Sequence, residues 1–163
     1  MEFPLPLLKR LNDAGVEYVV VGGVAAVMHG SALVTKDLDV CAPLQGANLE
    51  RLWSCLDGIH PKLRMRPDHM ALPEHVKNLT NLKNLYLLTD LGILDLLGDV
   101  TGLGDYSQVL AQSTREDFGE GIVSRLLSLD ALIEAKRAAG RPKDLRHLHE
   151  LEVIRRNRKN SPQ

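Results

Sequence analysis

The sequence has few of the features that mark extracellular, membrane-bound or strongly charged proteins. Only two of its 163 residues are cysteines, which is too few for a disulfide scaffold and predicts buried thiols in a reducing compartment. Aromatic residues make up 4% of the chain and the formal net charge is −1, so the core must be mainly aliphatic and no overall charge favours nucleic acid or acidic lipid. Because no apolar run is long enough to span a bilayer and Met1–Lys9 does not resemble a signal peptide, we predict a cytoplasmic protein without membrane contact.

Hydrophobic residues make up 44% of the chain, which is enough for the core of a single domain. The order of apolar segments predicts an α/β (α+β) fold, in which helices flank a mixed sheet and a short helical part follows. We assign residues 1–127 to the core, 128–156 to C-terminal helices packed on it, and 157–163 to a disordered tail.

Hydrophobic periodicity and glycine or proline positions predict the individual elements. The predicted helices are 6–14, 22–29, 45–56, 105–112, 128–139 and 143–156. The predicted strands are 16–21, 38–41, 82–89, 92–97 and 122–127. Residues 57–81 contain three prolines and are predicted to be irregular.

A glycine pair followed by two aspartates is the most informative pattern in the chain. Gly22 and Gly23 end the β-branched run Val19–Val21 and begin a helix, so they offer backbone N–H groups to an anion. Asp37 and Asp39 are two residues apart and share a face if they lie in a strand, where two like charges repel unless a cation lies between them. Mg²⁺ is commonly bound by one or two carboxylates together with substrate phosphates. The pattern therefore indicates chemistry on a nucleoside triphosphate.

A third carboxylate, Asp95, lies alone in the apolar run 93–97. A charge is rarely buried without a partner, so this position favours a functional role. Asp90 and Asp99 are the alternatives for the third acid, but both lie near glycines, as turn residues do.

This ordered set of motifs resembles the DNA polymerase beta superfamily of nucleotidyltransferases, especially its minimal, abortive-infection-type members. The resemblance runs from about residue 15 to about residue 150 and implies the nucleotidyltransferase fold. It rests on a glycine pair, His-Gly, Thr-x-Asp-x-Asp, a third acid and Arg-Pro-Lys-Asp, which are here Gly22, Gly23, His29, Gly30, Thr35, Asp37, Asp39, Asp95 and residues 141–144. Two positions depart from the pattern: many members carry serine at Gly23 and arginine at Leu33.

The resemblance implies transfer of a nucleoside monophosphate from an NTP, with ATP or CTP favoured, to an acceptor hydroxyl. It assigns Asp37, Asp39 and Asp95 as catalytic residues that hold two Mg²⁺ ions. The nucleotide-binding residues that we predict with it are Gly22, Gly23, Ser31, Lys36, Lys136 and Lys143.

Relatives of this type often belong to toxin–antitoxin or phage-defence systems, which favours RNA or protein as acceptor and suggests a cognate partner protein. The sequence allows three roles for His29: it orients its loop, contacts a phosphate, or packs in the structure. Thr35 is expected to brace the loop before the acids, and Asp144 to fix Lys143 or to cap the last helix.

Two rival functions remain. The chain is alternatively a catalytically weak nucleotidyltransferase-fold protein that acts as a nucleotide-binding or regulatory partner, as the departure at Leu33 suggests. A haloacid-dehalogenase-type phosphatase also carries Asp-x-Asp, but its motif should directly follow an apolar strand, whereas residues 31–36 precede it here.

Overall fold

A computed structural model of the chain describes residues 4–65, 72, 78 and 80–161. The strands in this part of the chain are β1 (Val19–Val21), β2 (Asp37–Cys41), β3 (Lys62–Leu63), β4 (Asn84–Thr89), β5 (Gly92–Leu97), β6 (Asp99–Val100), β7 (Gly104–Asp105), β8 (Ser113–Asp117) and β9 (Val123–Leu127). The helices are α1 (Leu5–Asp13), α2 (Gly22–Met28), α3 (Gly46–Leu56), α4 (Tyr106–Leu110), α5 (Leu129–Ala139) and α6 (Pro142–Asn160). The predicted mixed α/β architecture is confirmed.

Seven of these strands form one mixed sheet in the order β3-β4-β5-β2-β1-β9-β8, and β6 and β7 form a separate two-stranded sheet. Strand β2 runs parallel to β5 and β1 runs parallel to β9, while the other neighbours in the large sheet are antiparallel. The three central strands β5, β2 and β1 are the ones that carry the aspartates and lead into the glycine pair.

The centre of the sheet is buried because its strands are built from branched aliphatic residues. All three residues of β1 are buried, and Leu38 and Val40 of β2 and Leu94 and Leu96 of β5 are completely inaccessible. Side chains alternate along a strand, so these leucines and valine occupy the face opposite to the aspartates of the same strands. One face of β2 and β5 therefore belongs to the core, and the other carries carboxylates.

The last two helices pack against each other, and α5 also contacts α2. Ser128 caps α5, because its hydroxyl accepts a hydrogen bond from the backbone N–H of Ala131 at 3.3 Å. Ser128 is therefore the N-cap residue of α5. No helix in the described residues is both long and apolar enough to cross a membrane.

Three differences from the predicted elements stand out. Helix α6 continues to Asn160, so the tail predicted from residue 157 is helical there, because no glycine or proline interrupts 157–160 and Arg158 bonds back to His29. The segment 113–117, for which the sequence predicts no element, is the edge strand β8. Within the region predicted as irregular, residues 62–63 form β3, while 66–71, 73–77 and 79, like 162–163 of the tail, lie outside the described residues.

Candidate functional site

Three aspartates lie on one face of the central sheet. Asp39 and Asp95 are direct partners on the parallel strands β2 and β5, and Asp37 is two residues from Asp39 on the same face. Neighbouring strands are about 4.8 Å apart, so this register brings the side chains of Asp39 and Asp95 side by side. The structure thus brings together the three acids that the sequence singled out, and we call them the acidic triad.

The ionised form of Asp39 is disfavoured within the acidic triad. Burial raises the pKa of Asp39 to about 6, and the neighbouring charges of Asp95 and Asp37 add to this effect. A hydrogen bond from the backbone N–H of Gly23 and the charge of Lys143 act in the opposite direction. Like charges at this separation favour a bound cation or a proton, so the triad is a place where positive charge is stabilised.

We expect Asp39→Asn to stabilise the metal-free protein more at pH 8 than at pH 5. Because the folded-state pKa lies above the ordinary value, Asp39 contributes stability below pH 4 that is lost as the pH rises through about 6. The stability gained by the variant, relative to wild type, should be larger by about 1 kcal/mol at pH 8 than at pH 5. Urea unfolding in EDTA at both pH values measures this difference; an equal gain at both would contradict the pKa assignment.

The glycine pair is fitted closely around Asp39. Val21, the last residue of β1, is the register partner of Asp39, so the turn into α2 begins beside this carboxylate. Gly22 has φ +63°, and a Cβ there would lie 2.2 Å from Oδ2 of Asp39. The backbone N–H of Gly23, which the sequence predicts as a phosphate contact, lowers the pKa of Asp39. The turn therefore orients the central acid of the triad.

Gly23 is glycine because Thr35 occupies the space beside it. A Cβ at Gly23 would lie 2.7 Å from the Thr35 hydroxyl oxygen and 3.0 Å from its Cβ. That hydroxyl donates to the carbonyl oxygen of Asp37 at 3.2 Å, so Thr35 braces the start of β2 as predicted. Even a side chain as small as that of serine would therefore collide with Thr35 at this position.

We expect Gly23→Ala to lower the free energy of unfolding by about 1–3 kcal/mol, because the new methyl group overlaps Thr35. Thr35→Ala removes the closest of the overlapping atoms. The double variant should therefore lose less stability than the sum of the two single variants, by about 0.5 kcal/mol or more. Urea unfolding of wild type, the two single variants and the double variant measures this coupling as a double-mutant cycle. Strictly additive losses of stability would mean that the two residues do not collide.

Asp95 is bound by a residue that sequence reasoning missed. The guanidinium of Arg64 donates from Nε to Oδ1 of Asp95 at 3.3 Å and from Nη2 to Oδ2. It also lies over the ring of Tyr86, 5.9 Å from the centroid, and Tyr86 is the register partner of Asp95 on β4. Burial raises the pKa of Asp95, and the opposing effect of Arg64 does not cancel this rise.

Positive charge reaches the triad from the C-terminal helices. Lys136 of α5 is buried, and burial lowers its pKa against the opposite effects of Asp144 and Asp39. Asp144 lies 3.7 Å from Lys136 and accepts a 2.5 Å hydrogen bond from Arg141, so it fixes these two cations rather than Lys143. Lys143 is exposed, and its charge acts on both Asp39 and Asp95.

Three further residues that the sequence singled out lie around the loop before β2. Ser31 is buried and donates its hydroxyl to Glu150 of α6 at 2.6 Å, so this group holds the loop to the last helix. Lys36 is exposed one residue before β2, out of phase with Asp37 and Asp39. His29 packs against the structure, because its Nε2 bonds the carbonyl oxygen of Leu127 at 2.8 Å.

The donor set of the acidic triad suits Mg²⁺, which prefers hard carboxylate oxygens. Nevertheless, within the described residues no three His, Cys, Asp or Glu side chains are arranged to hold a metal ion as they stand. In this arrangement both carboxylate oxygens of Asp95 accept hydrogen bonds from Arg64.

No protein-family model matches this chain, and no curated protein is similar enough to match it.

Proposed function

We propose that this chain is a Mg²⁺-dependent nucleotidyltransferase of the DNA polymerase beta superfamily, which moves a nucleoside monophosphate from an NTP to an acceptor hydroxyl. The observation that carries the proposal is the register of β2 and β5, which aligns Asp39 with Asp95 and places Asp37 on the same face. The glycine turn at one side of Asp39 and the charge of Lys143 complete an arrangement suited to a charged phosphate substrate.

Asp37 and Asp39 would hold one Mg²⁺ ion, and Asp95 would share a second with them. Bound Mg²⁺ would supply the positive charge that polarises the α-phosphate and stabilises both the entering and the leaving oxygen. The chain's own contribution is to hold the three carboxylates on a rigid central sheet, where the Gly22–Gly23 turn fixes Asp39.

In the proposed reaction the acceptor oxygen forms a bond to the α-phosphorus as the bond to the bridging oxygen breaks, and pyrophosphate leaves. The acceptor proton passes to Asp95 or to solvent, since this buried carboxylate has a raised pKa. The proposal gives Lys143 and Lys136 the role of offsetting the charge of the leaving pyrophosphate. It is supported by the exposure of Lys143 and by the effect of the charges of Lys143 on Asp39 and of Asp39 on Lys136.

One observation favours the second candidate, a nucleotide-binding or regulatory partner with weak catalysis. Arg64 neutralises Asp95 through a paired contact, and a permanent pair of this kind would leave only Asp37 and Asp39 for a cation.

For both candidate functions we propose ATP or CTP as the nucleotide and a cytoplasmic location. For the transferase, RNA or protein would be the acceptor. A cognate partner protein in a toxin–antitoxin or phage-defence system is proposed for either function.

Incubation of the purified protein with each α-³²P-labelled NTP, Mg²⁺ and cell lysate tests the proposal, with Asp37→Asn/Asp39→Asn as the matched inactive protein. Label on RNA, protein or a small molecule that is absent with the variant would support nucleotidyl transfer and name its nucleotide and acceptor class. Absence of acid-dependent label with all four NTPs, together with Mg²⁺-dependent NTP binding, would favour the regulatory partner.

A further inference from the structure

Arg64 lies at the edge of the acidic triad, immediately after the short edge strand β3. Its backbone N–H donates to the carbonyl oxygen of Tyr86 at 3.0 Å, which extends the pairing of β3 with β4 by one residue. The side chain is 27% exposed, whereas that of Asp95 is only 8% exposed. Arg64 therefore reaches from an accessible edge of the sheet to a buried carboxylate.

Two neighbouring groups hold the guanidinium in place. The Nε and Nη2 atoms bind the two oxygens of Asp95, and the ring of Tyr86 lies beneath the charged plane. Because Tyr86 and Asp95 are cross-strand partners, the ring and the carboxylate are adjacent and both contact the same guanidinium. A guanidinium that binds a carboxylate with two nitrogens makes a strong, directional contact that uses both oxygens.

This contact places Arg64 in competition with any cation that Asp95 binds. The oxygens that Arg64 occupies are the donors that Asp95 can offer to a divalent ion, and two positive charges at one carboxylate repel each other. In the part of the chain that the structure describes, no cationic side chain forms an ion pair with Asp39, the register partner of Asp95. Asp39 is therefore more available to a divalent cation than Asp95 is.

We propose that Arg64 is an exchangeable cap on Asp95, which must leave this carboxylate before a divalent cation can bind there. The inference rests on the proposed function, because it takes the acidic triad to be a cation site. In the capped state Arg64 keeps the three carboxylates together in the absence of a cation. Its departure makes Asp95 available, so Arg64 acts as a positioning residue that sets the cation affinity of the third acid.

Mn²⁺ titration of the full chain, with free Mn²⁺ followed by electron paramagnetic resonance, tests the cap. We expect Arg64→Gln to bind Mn²⁺ about tenfold more tightly than wild type, because a competing charge has been removed. Lys62→Gln is the matched control, since Lys62 is an exposed cation two residues before Arg64, and it should change the affinity less than twofold. The gain should disappear in Arg64→Gln/Asp95→Asn.

A second measurement keeps the proposal testable if Arg64→Gln does not fold. The arginine Nε–H signals of wild-type protein are recorded by NMR during a Mg²⁺ titration, and the Arg64 signal is assigned by its absence in Arg64→Lys. We expect this signal to shift as Mg²⁺ binds, because the guanidinium loses its carboxylate partner. An unchanged signal at saturating Mg²⁺ would overturn the cap.

The outcomes separate this inference from the proposed function. Mn²⁺ binding that is lost in Asp39→Asn but is no tighter in Arg64→Gln would overturn the cap alone and leave the cation site standing. Mn²⁺ binding that is seen in Arg64→Gln but not in wild type would support the cap, because it would mean that Arg64 prevents cation binding in the wild-type protein. Failure of wild type and of Arg64→Gln to bind Mn²⁺ would overturn both.

Discussion

Asp39→Asn should lower the rate of nucleotidyl transfer by at least about a thousandfold while leaving the protein as stable as wild type or more so at pH 8. The rate falls because the central member of the acidic triad loses the charge that would hold the cation. The stability does not fall, because an amide oxygen can still accept the hydrogen bond of Gly23 and the cost of a buried charge disappears. Labelling rates and urea unfolding of the same preparations measure both effects.

Asp99→Asn is the control for this experiment. Asp99 is an exposed aspartate in β6, close to β5 in sequence but outside the triad. We expect this variant to retain transfer within about threefold of wild type, as is usual for exposed positions away from a site. Equal loss of activity in both variants would contradict the assignment of Asp39, and so would full activity in Asp39→Asn.

Gly22→Ala should destabilise the protein by about 3 kcal/mol, the sum of a left-handed backbone that alanine resists and an overlap with Asp39. The new Cβ would lie 2.2 Å from Oδ2, 2.7 Å from Cγ and 2.9 Å from Cβ of Asp39. Asp39 is in the middle of the sheet, so it cannot move without disturbing Gly23 or Asp95. Urea unfolding gives the loss of stability directly.

The chain provides a matched control in Gly46→Ala. Gly46 also begins a helix, with φ +56°, but a Cβ there meets no atom within 4 Å. We expect this variant to lose only about 1 kcal/mol, the cost of the backbone conformation. The difference between the two variants measures the overlap with Asp39, and a difference near zero would show that Asp39 adapts without cost.

Much of the centre of the fold follows from local sequence. The β-branched run Val19–Val21 can only be a buried strand, and the glycine pair after it marks a tight strand-to-helix turn. The spacing of Asp37 and Asp39 fixes their shared face once β2 is a strand. The pairing of Tyr86 with Asp95 could also be predicted from the sequence. Thr89 and Gly92 flank a two-residue turn, and counting three residues away from this turn along each strand gives Tyr86 and Asp95 as partners.

Other parts depend on contacts that local sequence does not encode. Arg64 reaches Asp95 only because β3 pairs with β4, and a two-residue strand in a proline-containing region has no periodicity to reveal it. Strand β8 has the sequence Ser-Thr-Arg-Glu-Asp and buries none of its side chains, so its place at the sheet edge comes from pairing with β9. The role of Asp144 likewise needs the packing of α6 on α5, which brings it to Lys136.

The interactions of the last helix show which group the Ser31 hydroxyl contacts. The sequence puts a hydroxyl near the acids, where a phosphate contact is a reasonable expectation. Glu150 lies 119 residues later, yet it takes that hydroxyl and also accepts the backbone N–H of Ala32 at 2.7 Å. The loop before β2 is thus held from α6, and the C-terminal helices help to position the triad.

Binding of non-hydrolysable NTP analogues is the measurement that tests the acidic triad most directly. Each α,β-methylene NTP is titrated calorimetrically into wild type and into Asp37→Asn/Asp39→Asn, with Mg²⁺ and with EDTA. We expect at least one analogue to bind wild type only with Mg²⁺, and to bind the variant at least about tenfold more weakly. Equal binding to both proteins, or binding that is indifferent to Mg²⁺, would contradict a nucleotide site built on these carboxylates.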